Sequence, residues 1–302
     1  MKTPVAFIVF KRPHTTEKVF DAIRQAKPKK LLVIADGARS NQAFEAEKCQ
    51  ATRIIIERVD WDCEVLKNYS DTNLGCAKRV SSGLDWVFEQ VEEAIILEDD
   101  CLPHPTFFRF CEELLEKYKH DERIASISGQ NVQFGRTSCD SDYYFSRYNH
   151  IWGWATWKRA WKNYDFYMNY WPQINQHDFL MDILGNPKAV KIWTKVFQKM
   201  YDGNHYGTWD FQWQFACWLN HSLGIISHVN LVSNIGFGAD SAHITGEKSI
   251  LANMPTQAIN FPIKHPEIMI RHLQADNITL DTLFSSLNPN LFQRLIWKML
   301  KK

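Results

Sequence analysis

Ala94-Ile95-Ile96-Leu97-Glu98-Asp99-Asp100 is the stretch on which the reading of this chain turns. Four apolar residues read as a buried strand, and three acids follow without a spacer. A parallel sheet presents its ligands at the carboxyl ends of its strands, so these carboxylates stand where a small molecule would bind. Clustered carboxylates repel one another unless they are solvated, protonated or bridged by a cation. A hard divalent ion such as Mg²⁺ or Mn²⁺ is the usual bridge, and it normally arrives with phosphate oxygens. A solvated acidic turn would look the same locally. Taken with the rest of the chain, the triplet points to a metal-dependent enzyme acting on a nucleotide-activated substrate.

Upstream of the triplet, strand and helix patterns alternate. Val5 to Phe10 is a buried-strand run, and Thr15 to Ala26 has helical spacing with Thr15 or Thr16 as N-cap. Leu31 to Ala35 is the second strand, closed by the turn signal Asp36-Gly37. A helix from Gln42 to Val59, the strand Cys63 to Leu66, a loop from Asn68 to Gly75 and a helix from Cys76 to Gln90 lead into the strand ending at Glu98. This β-α-β-α-β-α-β order predicts an α/β fold: a mainly parallel, Rossmann-like sheet flanked by helices. After Pro103 and Pro105, a helix over Phe107–Tyr118 and strands at Ile124–Ser128 and Tyr143–Phe145 are expected.

Beyond Asn149 the alternation stops. Trp152-Gly-Trp-Ala-Thr-Trp157 reads as an aromatic loop leading into a helix at Lys158–Tyr164. Further helices are expected at Lys188–Tyr201 and Asp210–Leu219, and a strand at Gly224–His228. Residues 1–149 read as a nucleotide half and 150–285 as a more helical acceptor half of the same compact unit, with 286–302 a basic amphipathic helix.

Composition narrows the function. The 302 residues carry a formal net charge of +1, which gives no footprint of a nucleic-acid binder. Most of the twelve Trp fall between Trp152 and Trp218, a skew that suits core or a sugar-binding wall. Seven scattered Cys, with no CxxC pair and no signal peptide ahead of Val5, read as reduced thiols of a cytoplasmic protein. No apolar stretch approaches the length of a transmembrane helix. Neither GxGxxG nor GxxxxGK[ST] occurs, which argues against an NAD-type cofactor or a P-loop.

Each early strand ends in polar candidates: Lys11-Arg12, then Asp36, then Asn73 to Lys78 ahead of the third helix. Basic side chains and backbone N–H groups at a helix start suit a diphosphate, and a carboxylate suits a base or ribose. Polar residues also belong at strand ends for ordinary reasons; it is their convergence on one sheet edge that carries weight.

Leu97-Glu-Asp-Asp100, preceded by Leu74-Gly-Cys-Ala-Lys78 and Leu84-Asp-Trp-Val-Phe88, resembles the nucleotide-sugar-binding half of the metal-dependent GT-A glycosyltransferases. Within them it is most similar to the N-acetylglucosaminyltransferase I type and its bacterial relatives. The resemblance implies that Asp100 holds a metal bridging the UDP phosphates, that Asp99 lies near the ribose and Glu98 near the donor sugar. It also implies nucleotide contacts from Arg12 and Asp36. It covers Val5 to Phe110 specifically and is looser afterwards. Trp209-Asp210 is similar to the place where inverting members keep a catalytic carboxylate, although an Asp at a helix start is equally an ordinary N-cap. Asn234 to His243 resembles the late loop that closes over the diphosphate, making His243 a candidate metal ligand beside its structural alternative.

The expectation is a glycosyltransferase, hexosyl or N-acetylhexosaminyl, using a divalent metal (Mn²⁺ or Mg²⁺) and a UDP-sugar, with inversion. Lys78 or Arg79 would help neutralise the leaving diphosphate, and Asp210 would act as base. Trp152, Trp154, Trp157 and Trp209 would form the acceptor wall, for a glycan or lipid-linked acceptor in polysaccharide biosynthesis. A sugar nucleotidyltransferase or a non-catalytic carbohydrate-binding protein are the rival readings. In the C-terminal segment, Leu291, Phe292, Leu295, Ile296, Met299 and Leu300 form an apolar stripe beside Arg294, Lys298, Lys301 and Lys302. Such a helix can lie on the inner face of an anionic membrane, yet packing on the protein's own body gives the same stripe, so only weak peripheral contact is expected.

Overall fold

Val5–Val9 (β1), Lys30–Ala35 (β2), Glu64–Tyr69 (β3) and Glu93–Glu98 (β4) form the first half of a sheet in a computed structural model. The structure describes residues 1–203, 207–237 and 249–284. Pro13–Ala26 (α1), Glu45–Ile56 (α2) and Cys76–Gln90 (α3) connect these strands, which lie side by side as β3-β2-β1-β4, all parallel. β1, β2 and β4 are apolar because both their faces are covered, as expected of parallel strands, whereas β3 at the edge is partly exposed. From β1, Val5, Phe7 and Val9 join α1, α2 and Thr106–Lys117 (α4) in one cluster. Ala6 and Ile8 join α3 and the second-half helices in the other.

α1 starts earlier than the Thr pair suggests. Pro13 opens it, its fixed φ suiting a first turn. Thr15 and Thr16 do not cap; their hydroxyls donate back to the Arg12 carbonyl at 3.2 and 2.8 Å.

After β4 come the short strand Cys101–Pro103 (β5), α4, Ile124–Ser128 (β6), Tyr143–Ser146 (β7) and Trp154–Trp157 (β8). The helices Lys158–Trp161 (α5), Trp171–Ile174 (α6), Phe179–Leu184 (α7), Pro187–Tyr201 (α8) and Asp210–Leu219 (α9) follow. Leu223–Ser227 (β9), Val232–Asn234 (β10) and Leu273–Thr279 (α10) follow, and a π-helical turn at Leu280–Phe284 comes last among the described elements. Among the described residues the sheet has eight strands in the order β3-β2-β1-β4-β8-β6-β9-β7, and β5 pairs with β10 apart from it.

The segment expected to be an aromatic loop is largely a central strand. β8 pairs antiparallel with β4 on one side and β6 on the other, Ala155 lying between Ile95 and Ile127. Gly153 makes the turn into it with φ +65°, packed so that a Cβ there would meet Val232 Cγ2 at 2.5 Å. Among the described residues no helix is long and apolar enough to cross a membrane. All seven cysteines are free thiols.

Candidate active site

β1 and β4 are parallel neighbours with Ile8 opposite Glu98, so residues 10–12 and 98–100 leave the sheet side by side. β2 and β3 lie beyond β1 while β4 lies on its other side, which makes this pair the point where the strand order reverses. Open α/β sheets bind their ligands at such a point.

Arg12 joins the two loops. One guanidinium nitrogen donates to Asp99 and the other to Asp100 Oδ2, the latter at 2.8 Å. Asp99 is buried and also accepts from the Phe10 backbone N–H at 3.2 Å. Burial pushes the Asp99 carboxyl up to about 6, with Asp100 adding to the shift and Arg12 opposing it. Glu98 is pushed up to about 8, first by burial and then by Asp100, Asp99 and Asp210, again against Arg12. Burial works against the Arg12 cation, but its two acid partners prevail and raise its pKa. The site therefore holds an excess of carboxylate over cation in a poorly solvated edge.

Two further elements close on this edge. α3 opens at Cys76 after Gly75, whose φ is +77°, and the Cys76 thiol is pushed up by burial, Glu98, Asp210 and Asp100. It is not a thiolate nucleophile. α9 opens at Asp210, which accepts from the Thr208 hydroxyl. Asp210 is the first helical residue, and the flanking cap position, Trp209, makes no side-chain cap hydrogen bond. The positive end of the α9 dipole favours the anionic carboxylate. The Asp210 charge acts on Glu98, Cys76 and Tyr164, which puts it in the same cluster as the triplet.

From the other side, the chain after β10 lies on the acids. Ile235 N–H donates to the Asp100 carbonyl at 2.8 Å. A Cβ at Gly236 would stand 2.2 Å from Asp100 Oδ2 and 2.6 Å from Arg12 Nη1, so only glycine lets the backbone approach this closely. The late loop was legible as a segment; the role of Gly236 was not, because it exists only through contact with residues more than a hundred positions earlier. His243 lies outside the described residues.

Several expected contacts belong to the scaffold. Asp36 is buried, and its two oxygens accept from the backbone N–H groups of Gly37, Leu74 and Gly75 and from the Asn73 amide. Those four bonds fill the carboxylate, so Asp36 shapes the loop before α3 and offers nothing to a nucleotide. Arg79 is also buried, tied to the Ala35 carbonyl and to Asn68, and bolts β2 to β3. Lys78, in the first turn of α3, is exposed.

The acceptor wall needs the largest correction. Trp154, Trp157 and Trp209 are 1–2% exposed. Trp154 stacks on Trp209 at 5.5 Å and packs with Trp161 and Trp213, while Trp157 donates to the Leu115 carbonyl on the opposite face. They are core, filling the space where β8 enters the sheet. Trp152 alone stays partly exposed, edge-on to Phe237. Two exposed aromatics in the second half are instead Tyr167 (64%) and Tyr170 (62%). They flank the buried Met168 on a loop clamped by Asp165, which accepts from the Tyr167 and Asn169 backbone N–H groups. Tyr164, just ahead, donates to the Trp209 carbonyl at 3.1 Å and so ties this loop to the start of α9. The run Tyr164-Asp-Phe-Tyr-Met-Asn-Tyr170 carries the aromatic signal that could have found it.

Among the described residues, no three His, Cys, Asp or Glu side chains are grouped to cage a metal ion. The edge offers Asp100 with Asp99 behind it, a hard oxygen donor set. That fits Mg²⁺ or Mn²⁺ held by one or two carboxylates and completed by phosphate oxygens and water. A separate hollow of about 430 Å³ lies at the far edge of the sheet, lined by Tyr143, Phe145, Ile270 and Arg271, among others, away from these acids.

No family model matches the chain, and no curated protein matches it. Among solved structures it is similar to a UDP-glucose pyrophosphorylase complexed with UDP-glucose (12% identity, TM-score 0.28), over 48% of this chain and 63% of that one. It is also similar to the 4-diphosphocytidyl-2C-methyl-D-erythritol synthase of Anaerococcus prevotii (11%, TM-score 0.35, 65% and 99%). A third is mouse xyloside xylosyltransferase 1 in its apo form (9%, TM-score 0.32, 71% and 81%). The chain thus spans less than two thirds of the first of these, and the likeness is one of loose α/β layout.

Proposed function

We propose that this chain is a glycosyltransferase that moves a sugar from a nucleoside diphosphate, UDP in our reading, to an acceptor hydroxyl with inversion. The observation that carries the proposal is the placing of Asp210 at the head of α9, within the field of Glu98 but on a different element from Asp100. Two carboxylate functions are thereby separated: one set for the leaving group, one for the acceptor.

In this reading the donor lies over the β1–β4 edge, its diphosphate toward Arg12 and Asp100 and its sugar toward Glu98. Asp100 would hold a divalent cation, which when bound supplies Lewis-acid neutralisation of the leaving diphosphate. Lys78 supplies a further cation at the start of α3, where N–H groups also favour anions. Asp210 takes the proton of the acceptor hydroxyl; the acceptor oxygen bonds to the anomeric carbon, and the electron pair of the broken carbon–oxygen bond leaves on the diphosphate. Trp152, Tyr167 and Tyr170 offer aromatic faces to a glycan or lipid-linked acceptor, as stacking on a sugar ring requires.

Particular residues favour this reading over its rivals. Only Phe10, Lys11 and Arg12 separate β1 from α1, leaving no room for the Gly-rich basic loop of a nucleotidyltransferase. A non-catalytic sugar binder was suggested by the Trp content, most of which is core. UDP release should be followed over a panel of UDP-sugars with Mn²⁺ or Mg²⁺, alongside nucleotide-sugar synthesis from UTP and sugar 1-phosphates. Metal-dependent UDP release supports the proposal; synthesis from UTP without transfer overturns it.

A further inference from the structure

We propose that Arg12 is an exchangeable counter-ion: it occupies Asp99 and Asp100 until a diphosphate draws it away, so that nucleotide and metal bind cooperatively. The inference rests on the donor reading above and adds to it how the site is loaded.

The acids are anchored through short side chains on held backbone, whereas the guanidinium reaches them on a long stem. Asp99 is held by the Phe10 N–H, and the Asp100 main chain by Ile235. Gly236 presses on both Asp100 and Arg12 from the β10 side. Arg12 reaches the acids from the residue before α1 on a long stem, and its side chain is 19% exposed against 3% for Asp99 and 14% for Asp100. Part of the Arg12 side chain is therefore open to solvent.

Charge then decides the order of binding. Arg12 Nη1 and a cation on Asp100 would compete for the same Oδ2, now 2.8 Å from the guanidinium. Like charges at such separation repel strongly in a poorly solvated edge. A diphosphate removes the conflict, because the guanidinium fork matches phosphate oxygens and can follow them off the acids. By linkage, whatever the nucleotide gains from the metal, the metal gains equally from the nucleotide.

Mn²⁺ binding, read by electron paramagnetic resonance and by calorimetry, tests this in the wild type, Arg12→Met and Arg12→Lys, with and without UDP. Arg12→Met should bind Mn²⁺ alone about tenfold more tightly than the wild type, and its gain on adding UDP should shrink by about the same factor. Arg12→Lys keeps the charge and should keep weak binding of Mn²⁺ alone. Unchanged or weaker binding of Mn²⁺ alone in folded Arg12→Met overturns the proposal. Should that variant fail to fold, the wild type decides: UDP must raise its Mn²⁺ affinity beyond the association of Mn²⁺ with free UDP, and no gain overturns the exchange. A wild type that ignores UDP even with Mn²⁺ refutes the donor reading, whereas binding of UDP with Mn²⁺ but no Arg12 effect refutes the exchange alone.

Discussion

Asp100 and Asp210 are the same side chain in different surroundings. Asp100 follows a strand, shares Arg12 with Asp99 and lies under Gly236. Asp100→Ala should abolish metal-dependent UDP binding while the fold persists, measured by calorimetry with Mn²⁺ and by circular dichroism. Asp210 heads a helix with Thr208 donating to it. Asp210→Asn should leave UDP binding intact and lower turnover by roughly a hundredfold or more, the usual scale of a positioned base. Retention at the anomeric carbon of the product would contradict direct displacement. At this scale the sequence was informative where a residue's place follows from what precedes it along the chain: Glu98, Asp99 and Asp100 stand at the strand-order switch point because a buried strand ends there. It was uninformative for Trp154 and Trp209, since a large aromatic is equally suited to a wall or a core and only long-range packing decides.

Among elements, α3 and α9 were legible close to their observed bounds, because each has helical apolar spacing with a clear start. β8 was not: its four residues are buried on both faces, and nothing in Trp154-Ala-Thr-Trp157 alternates. β5 and β10, three residues each, carry no period at all and exist through one another. The contacts between elements set two predictions. Gly236→Ala should displace Asp100 and Arg12 together and weaken UDP binding by about tenfold or more, with little loss of thermal stability, because a Cβ 2.2 Å from Asp100 Oδ2 must be relieved by a shift of the loop. Glu45, buried at the start of α2, bonds Arg39 and Lys11, and these partners hold its carboxyl down to about 2. A depressed folded pKa contributes stability that is complete above the unfolded value of 4.5 and lost as pH falls toward 2. Glu45→Gln should therefore lower stability at pH 7 by about 2 kcal/mol, allowing for solvent screening of Arg39, and the gap to wild type should close near pH 2 in urea melts.

Across the whole molecule, the aromatic cluster of Trp154, Trp161, Trp209 and Trp213 packs on Ala6, Ile8, Leu32 and Ile34, so residues from both sides of position 149 share one core. Trp154→Ala should cost about 3–5 kcal/mol and lower the melting temperature in a single cooperative transition, while activity per folded molecule holds. The place of β8 also sets a schedule for biosynthesis. β4 is flanked by β1 from the first residues made, but its other neighbour is not synthesised until Trp157, nearly sixty residues after Glu98. Until then the row of N–H and C=O groups from Glu93 to Ile96 is a naked edge on an otherwise assembled parallel sheet, the kind of surface that captures strands from other chains. A ribosome that stalls, or a protease that cuts, between the acids and β8 would release a sticky fragment that already carries every carboxylate of the triplet.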